Sequence, residues 1–101
     1  MRFLLLCAFS LLAACQTHHL APLPASIAPQ GRDHTDLGVI RELATGRTLT
    51  PQELVERLAN APRVLVGEQH DNPDHHALQL WLLRELAAQR PQGSLLMEML
   101  N

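Results

Sequence analysis

Two short segments of the chain combine carboxylate and imidazole side chains in a way that suits metal or acid–base chemistry. Glu68 and His70 directly follow an apolar run, and His75 and His76 come a few residues later. Glu98 interrupts a second apolar run. Imidazoles and carboxylates bind metal ions and can transfer protons near neutral pH. If folding brings the two segments together, these five residues form a candidate site.

Four of the five candidate residues also have a purely structural interpretation. An ionised Glu98 inside an apolar strand would be costly without a partner, whereas a strand that ends at Met97 would leave this carboxylate in water. His70 can bond to the aspartate that follows it. His75 and His76 can be ordinary polar residues at the start of a helix.

The spacing of these residues completes no familiar catalytic signature. The chain has no His-Glu-x-x-His motif, no serine or cysteine nucleophile motif and no glycine-rich phosphate loop. A mixed set of histidine and glutamate is borderline between zinc and iron. The residues alone therefore leave the chemistry open between metal ligation and proton transfer.

The surrounding elements predict how the candidate residues would meet. Residues 63–67 form a β-branched run suited to a buried strand. Asn72 is a good helix N-cap and Pro73 fits the first helical position, so a helix is predicted from there to about Arg90. Residues 95–100 are a second strand candidate. Strand, helix and strand form a βαβ unit with parallel strands, in which the strand ends and the helix N-terminus meet at one sheet edge.

Two shorter elements are predicted ahead of this unit. Residues 38–43 have strand character and are followed by a turn signal at Gly46, which favours a short strand or hairpin. Thr50 and Glu53 have the spacing of a capping box, with a proline at the first helical position between them. A helix is therefore predicted from this cap to about Asn60.

The predicted fold class is α/β. Residues 37–101 are expected to be the N-terminal βαβ portion of a mostly parallel sheet with flanking helices. A lone βαβ unit leaves both sheet edges open and one sheet face uncovered. We therefore expect this fold to be incomplete.

The N-terminus has the features of a lipoprotein signal peptide, predicted over residues 1–14. Arg2 provides a positive charge, residues 3–12 are almost entirely apolar, and two alanines precede Cys15. The order Leu-Ala-Ala-Cys resembles the lipobox of bacterial lipoproteins, in which the cysteine is lipidated and becomes the first residue. Residues 15–36 are proline-rich without a hydrophobic period, and are predicted to be a flexible tether.

A lipid on Cys15 would anchor the protein to a membrane, because buried acyl chains bind strongly. The resemblance to bacterial lipoproteins also implies in which membrane the protein is anchored. Gln16 follows the cysteine, and a residue other than aspartate at this position implies the outer membrane of a Gram-negative bacterium, with the protein facing the periplasm.

Composition argues against nucleic-acid binding and against an internal disulfide. The chain of 101 residues carries 8 basic and 10 acidic residues, and all of the basic ones are arginine. A mildly acidic chain with one Trp and no Tyr is a poor match for nucleic acid. It has two cysteines, of which one lies in the leader, so no internal disulfide is expected in the mature chain.

The motif string resembles the start of the ChaN-like haem-binding lipoproteins. It runs Gly-Glu-Gln-His-Asp-Asn-Pro-Asp-His-His from Gly67 to His76, and Leu-Leu-Met-Glu-Met follows over 95–99. The wider group includes Tiki/TraB-type and erythromycin-esterase-like proteins, which share a Gly-x-x-His motif after the first strand and a glutamate after the second. Gly67, His70 and Glu98 match these positions.

This resemblance implies haem binding at the outer membrane for haem or iron uptake, often as a homodimer. His70, His75 and His76 are then the candidates to line or ligate the haem. The tyrosine expected to bind iron in that family has no counterpart, because the chain contains no Tyr.

Two alternatives accompany this interpretation. The hydrolytic relatives imply a metal-dependent hydrolase, with Glu68, His70 and Glu98 as catalytic residues and a divalent metal held by His70 and Glu98. Because members of the family are much longer than this chain, a truncated gene product without function is the other alternative.

Overall fold

The computed structural model describes residues 18–98, which contain two helices and one small antiparallel sheet. Strand β1 spans Ile40–Arg41 and strand β2 spans Thr48–Leu49. Helix α1 spans Pro51–Ala59, and helix α2 spans Pro73–Gln89. The chain is therefore a mixture of helix and strand, which agrees with the predicted class at this coarse level.

The two strands form a hairpin, which is one of the two alternatives that the sequence predicts here. Ile40 lies opposite Leu49 in an antiparallel register. The backbone N–H of Gly46 donates to the carbonyl of Glu42 at 2.8 Å, and Gly46 has a φ of +73°. Glycine is favoured there because a side chain is strained at positive φ.

Both helices begin at the residues that the sequence predicts. At α1, the Thr50 hydroxyl accepts from the backbone N–H of Glu53 at 3.1 Å, and the Glu53 carboxylate accepts from the backbone N–H of Thr50 at 2.8 Å. At α2, the side-chain oxygen of Asn72 accepts from the backbone N–H of Asp74 at 2.9 Å. These bonds satisfy backbone donors that the first turn leaves free.

A small hydrophobic core lies between the two helices. Val55 of α1 is completely buried and packs with Trp81 and Leu86 of α2. Further apolar side chains surround this centre: Leu20, Leu23, Leu58, Ala59, Val64 and Leu82. The core therefore joins α1 to α2 and includes side chains from the chain that precedes the hairpin.

Residues 18–28, called here the strap, lie along α2 without helix or strand structure. Near the C-terminal end of α2, buried Glu85 accepts hydrogen bonds from the His18 imidazole at 2.9 Å and from the backbone N–H of Ala21 at 3.1 Å. The indole N–H of Trp81 donates to the carbonyl of Ala21 at 2.9 Å. The hydrogen bond from His18 is the main cause that lowers the pKa of Glu85.

The other end of the strap is bound to the first turn of α2. Asp74 accepts from the Ser26 hydroxyl at 2.6 Å and from the backbone N–H groups of Ile27 at 2.7 Å and Ala28 at 3.2 Å. Ala28 is buried, with 3% of its surface exposed. Two carboxylates of α2 thus hold the strap, one near each end of the helix.

The strap occupies part of the segment that the sequence predicts to be a flexible tether, residues 15–36. The absence of regular structure over the strap agrees with its proline content, but its hydrogen bonds to α2 are not part of that prediction. The predicted signal peptide and Cys15 lie outside the described residues. Over residues 18–98, neither helix has the length and apolar character needed to cross a bilayer.

The predicted parallel sheet is not confirmed. Within the described residues, 63–67 and 95–98 take part in no strand pairing, and the one sheet is the antiparallel hairpin. Leu65 and Leu96 are each 93% exposed. The physical reason is that a parallel strand is stabilised by hydrogen-bonded neighbours and by cover on both faces, and neither run has these. The helix between them is present, but residues 18–98 form no βαβ unit around it.

Candidate functional site

The candidate site is built from the loop before α2 and the first two turns of that helix. The backbone N–H of Asn72 donates to the carbonyl of Gln69 at 3.0 Å, which closes a turn just ahead of the helix. The Asn72 cap then directs the chain into α2. His75 and His76 therefore lie in the first turn of the helix, beside the loop that carries Glu68 and His70.

Glu68 is the centre of the hydrogen bonds in this region. Its Oε1 lies 2.8 Å from Nδ1 of His70. Its Oε2 accepts from the side-chain amide of Gln79 at 2.7 Å and lies 3.4 Å from Nδ1 of His76. The Glu68 side chain is 20% exposed, whereas the two imidazoles are about half exposed. One carboxylate thus joins the loop to α2.

These contacts keep Glu68 ionised. The hydrogen bond with His70 is the largest cause that lowers the pKa of Glu68, and the Gln79 amide and the charges of His76 and His70 act in the same direction. Partial burial opposes them by raising the pKa, but the net direction is downward. At neutral pH, Glu68 is therefore an acceptor with a negative charge.

The hydrogen bond to Glu68 decides which nitrogen of His70 carries the proton. An ionised carboxylate only accepts, so Nδ1 of His70 must donate. In the neutral ring, Nε2 then keeps its lone pair. Among the hydrogen bonds of residues 18–98, none involves this Nε2, and the side chain is 49% exposed. His70 therefore presents a free, basic nitrogen at the surface.

The other two imidazoles are arranged differently. Nδ1 of His75 accepts from the backbone N–H of Gln69 at 2.9 Å, so its lone pair is already used. Nε2 of His76 lies 2.8 Å from the carbonyl oxygen of His70 and must donate to it. In the neutral ring Nδ1 of His76 then holds a lone pair, which faces the Glu68 carboxylate at 3.4 Å. Of the three predicted candidates, His70 is thus the imidazole with a ring nitrogen open to a ligand.

An apolar groove adjoins this cluster. It has a volume of about 330 Å³, and its lining includes Val66, Leu78 and Trp81 together with His75 and Gln79 of the cluster. Pockets of this kind, mostly apolar with a few polar groups at one side, are typical of small-molecule and cofactor sites.

Glu98 is not joined to this cluster. It is exposed, and within residues 18–98 it forms no hydrogen bond or ion pair with Glu68 or His70. No group of three His, Cys, Asp or Glu side chains in the described part of the chain is placed to hold a metal ion. The structure thus unites Glu68, His70, His75 and His76, but not the metal pair of His70 and Glu98 or the hydrolase set that includes Glu98.

Gln79 is a residue of this site that the sequence analysis does not single out. It lies three and four residues after His76 and His75 in α2. Residues at these separations share one face of a helix. This spacing is the sequence feature that could have identified Gln79, because a polar residue on the helix face of both histidines can also reach Glu68.

Comparison with known families bears on what this cluster does. Residues 54–101, just under half of the chain, match the model of a family described as haem-binding uptake, Tiki superfamily, ChaN. The resemblance to the ChaN-like family is thereby confirmed over this segment. It contains α1 from Leu54 onward, the whole candidate site and α2. No curated protein and no solved structure matches the chain.

Proposed function

We propose that this protein binds haem through Nε2 of His70 and takes part in haem or iron uptake as an outer-membrane lipoprotein. The observation that carries the proposal is the hydrogen bond from Nδ1 of His70 to ionised Glu68, which leaves Nε2 free. The family match supports haem as the ligand, since the family is described as haem-binding uptake.

The residues present fit such a group. Histidine is a common axial ligand of haem iron. A histidine that binds a metal generally donates its other N–H to a carboxylate or carbonyl, which fixes the ring and makes the ligating nitrogen more basic. Glu68 does this for His70 at 2.8 Å. Bound haem would supply an iron centre to which the His70 imidazole could bind.

The groove beside the cluster supports the same ligand. A porphyrin has two apolar faces, and Val66 and Leu78 provide apolar surface next to His75. Val66 and Leu78 are 51% and 42% exposed, so this surface is open to a flat ligand. The proposed division of roles is that His70 binds iron, whereas His75 and His76 shape the loop and line the site.

A titration of the full chain with haemin tests the proposal. We expect a stoichiometric Soret shift that is lost in His70→Ala and kept in His34→Ala. His34 is a suitable control because it is exposed and lies outside the cluster, where its Nδ1 accepts from a backbone N–H at 3.0 Å. A chain without a Soret shift at stoichiometric haemin would contradict haem binding. A His70→Ala variant that binds like the unmodified chain would contradict the ligand assignment.

The location of the protein is proposed from its N-terminus. The leader, the small residues before Cys15 and the Gln16 that follows it support a lipid anchor in the outer membrane. Cys15→Ser should release the protein from the membrane fraction, because the thiol that carries the lipid is removed. Retention of the variant in the membrane fraction would exclude a lipid anchor at this residue.

A further inference from the structure

We propose that Gln79 is a positioning residue of this site, which holds Glu68 so that the His70 imidazole keeps its proton on Nδ1. The consequence for haem binding rests on the function proposed above. The effect on the imidazole does not, because it concerns the chain without ligand.

Gln79 forms a direct hydrogen bond with the Glu68 carboxylate. Its side-chain amide donates to Oε2 of Glu68 at 2.7 Å, and Oε1 of the same group is left to His70 at 2.8 Å. Gln79 lies in the second turn of α2, and the N-cap and the core hold this helix in place. The backbone position of the amide donor is therefore fixed. Each carboxylate oxygen thus has its own donor.

A neutral donor suits this role. An amide N–H donates at every ordinary pH and carries no charge, so Gln79 orients Glu68 without neutralising it. His76 can compete for the same Oε2, which lies 3.4 Å from its Nδ1, only in the tautomer that carries the proton on Nδ1. With Gln79 in place, His76 instead donates through Nε2 to the carbonyl of His70 at 2.8 Å. Gln79 thereby keeps the charge of Glu68 directed at His70.

Loss of the amide should therefore change the state of His70 as well as the stability of the loop. In Gln79→Ala, His76 is the remaining neighbour of Oε2 among residues 18–98, and a shift of its proton from Nε2 to Nδ1 lets the carboxylate rotate toward that ring. The hydrogen bond to His70 then weakens, and the proton of its neutral ring redistributes between Nδ1 and Nε2. A merely structural contact would not move this equilibrium.

Long-range ¹H–¹⁵N NMR of the histidine rings in the ligand-free full chain tests the inference. We expect His70 in the unmodified chain with its proton on Nδ1, and a mixture of both tautomers in Gln79→Ala. The matched control is Gln52→Ala, because Gln52 also donates from a helix to a glutamate, Glu56, at 2.9 Å. The control should leave the His70 signals unchanged. Identical His70 signals in Gln79→Ala and the unmodified chain would overturn the proposal.

Haemin titration gives the second readout. Substitutions beside a metal-ligating histidine typically weaken metal affinity by about 10- to 100-fold, and we expect Gln79→Ala to fall in that range. If Gln79 acts through Glu68, adding Gln79→Ala to Glu68→Gln should weaken binding no further. Full additivity of the two changes would overturn the proposal.

The two readouts separate this inference from the proposed function. A tautomer shift in Gln79→Ala, in a chain that binds no haemin, would support the positioning role and contradict haem binding. Normal haemin binding by Gln79→Ala with unchanged His70 signals would leave haem binding in place and refute the role of Gln79.

Discussion

Truncation of Val55 to alanine should destabilise the protein measurably, because this side chain joins the two helices. Val55 is completely buried against Trp81 and Leu86. The substitution removes two methyl groups from the centre of the core. It leaves the backbone, the Thr50 cap and the candidate site unchanged, so packing is the only direct loss.

The expected cost follows from the buried volume. Each buried methylene-sized group contributes about 0.8 kcal/mol, so the transfer of two groups accounts for about 1.6 kcal/mol. A cavity that the neighbouring side chains fill only in part adds to this cost. We therefore expect the free energy of unfolding to fall by about 1.5 to 3 kcal/mol.

Trp81 provides the assay. It is the only Trp in a chain without Tyr, and it is in the same core cluster as Val55, so its fluorescence reports on the packing that is changed. Small proteins have urea m-values of about 1 kcal/mol per molar at the lower end. The midpoint of urea unfolding should then fall by roughly 1.5 to 3 M, with the m-value unchanged.

Val66→Ala is the matched control, since it removes the same two groups from a side chain that is 51% exposed. Its midpoint should shift by less than half as much. Equal shifts for the two variants, or an unchanged midpoint for Val55→Ala, would refute the assignment of Val55 to the centre of a packed core.

Two further predictions concern the N-terminus of α1 and the strap. Thr50→Ala removes one half of the capping box and should lower the free energy of unfolding by about 1 kcal/mol in the same urea assay; an unchanged value would contradict the cap. The hydrogen bond from the Ser26 hydroxyl is the main cause that lowers the pKa of Asp74 below its ordinary value of 3.8. A carboxyl whose pKa is lower in the folded state stabilises the fold above its unfolded pKa, and this contribution is lost as the pH falls through the folded value. Acid titration followed by Trp81 fluorescence should therefore show a smaller loss of stability below about pH 4 in Asp74→Asn than in the unmodified chain. An equal loss of stability in the two proteins below this pH would contradict the role of Asp74.

The helices and the hairpin could be predicted from the sequence because their signals are local. Thr50 with Glu53, and Asn72 with the proline after it, determine each helix start through bonds that span two or three residues. Gly46 marks the hairpin turn for the same reason, since its positive φ is a property of one residue.

The sheet and the strap depend on distant partners, which local patterns do not determine. The apolar runs at 63–67 and 95–100 are predicted to be strands, but a strand forms only with a hydrogen-bonded neighbour. Within the described residues, none pairs with 63–67 or 95–98. Ala21 and Glu85 are 64 residues apart in sequence, and Ser26 and Asp74 are 48 apart. A proline-rich segment gives no local sign of such contacts.

In the candidate site too, local contacts could be predicted from the sequence, whereas contacts between distant residues could not. Glu68 and His70, two residues apart, belong to the site that the sequence predicts, and the structure joins them at 2.8 Å. The inclusion of Glu98 required the second strand, which is absent from the described residues. Gln79 reaches Glu68 because α2 places it on the same helix face as His75 and His76, although it follows Glu68 by eleven residues in the sequence.

The strap also limits how far this domain could stand from a bilayer. Because His18 is bound to Glu85, only Gln16 and Thr17 lie between the proposed lipid on Cys15 and a fixed point on α2. The three residue steps from Cys15 to His18 reach about 10 Å when fully extended, whereas a free tether to residue 36 would reach roughly 70 Å. A lipid anchor would therefore hold the C-terminal end of α2 near the headgroups. His70 would lie beyond the opposite end of this helix, whose axis is about 25 Å long.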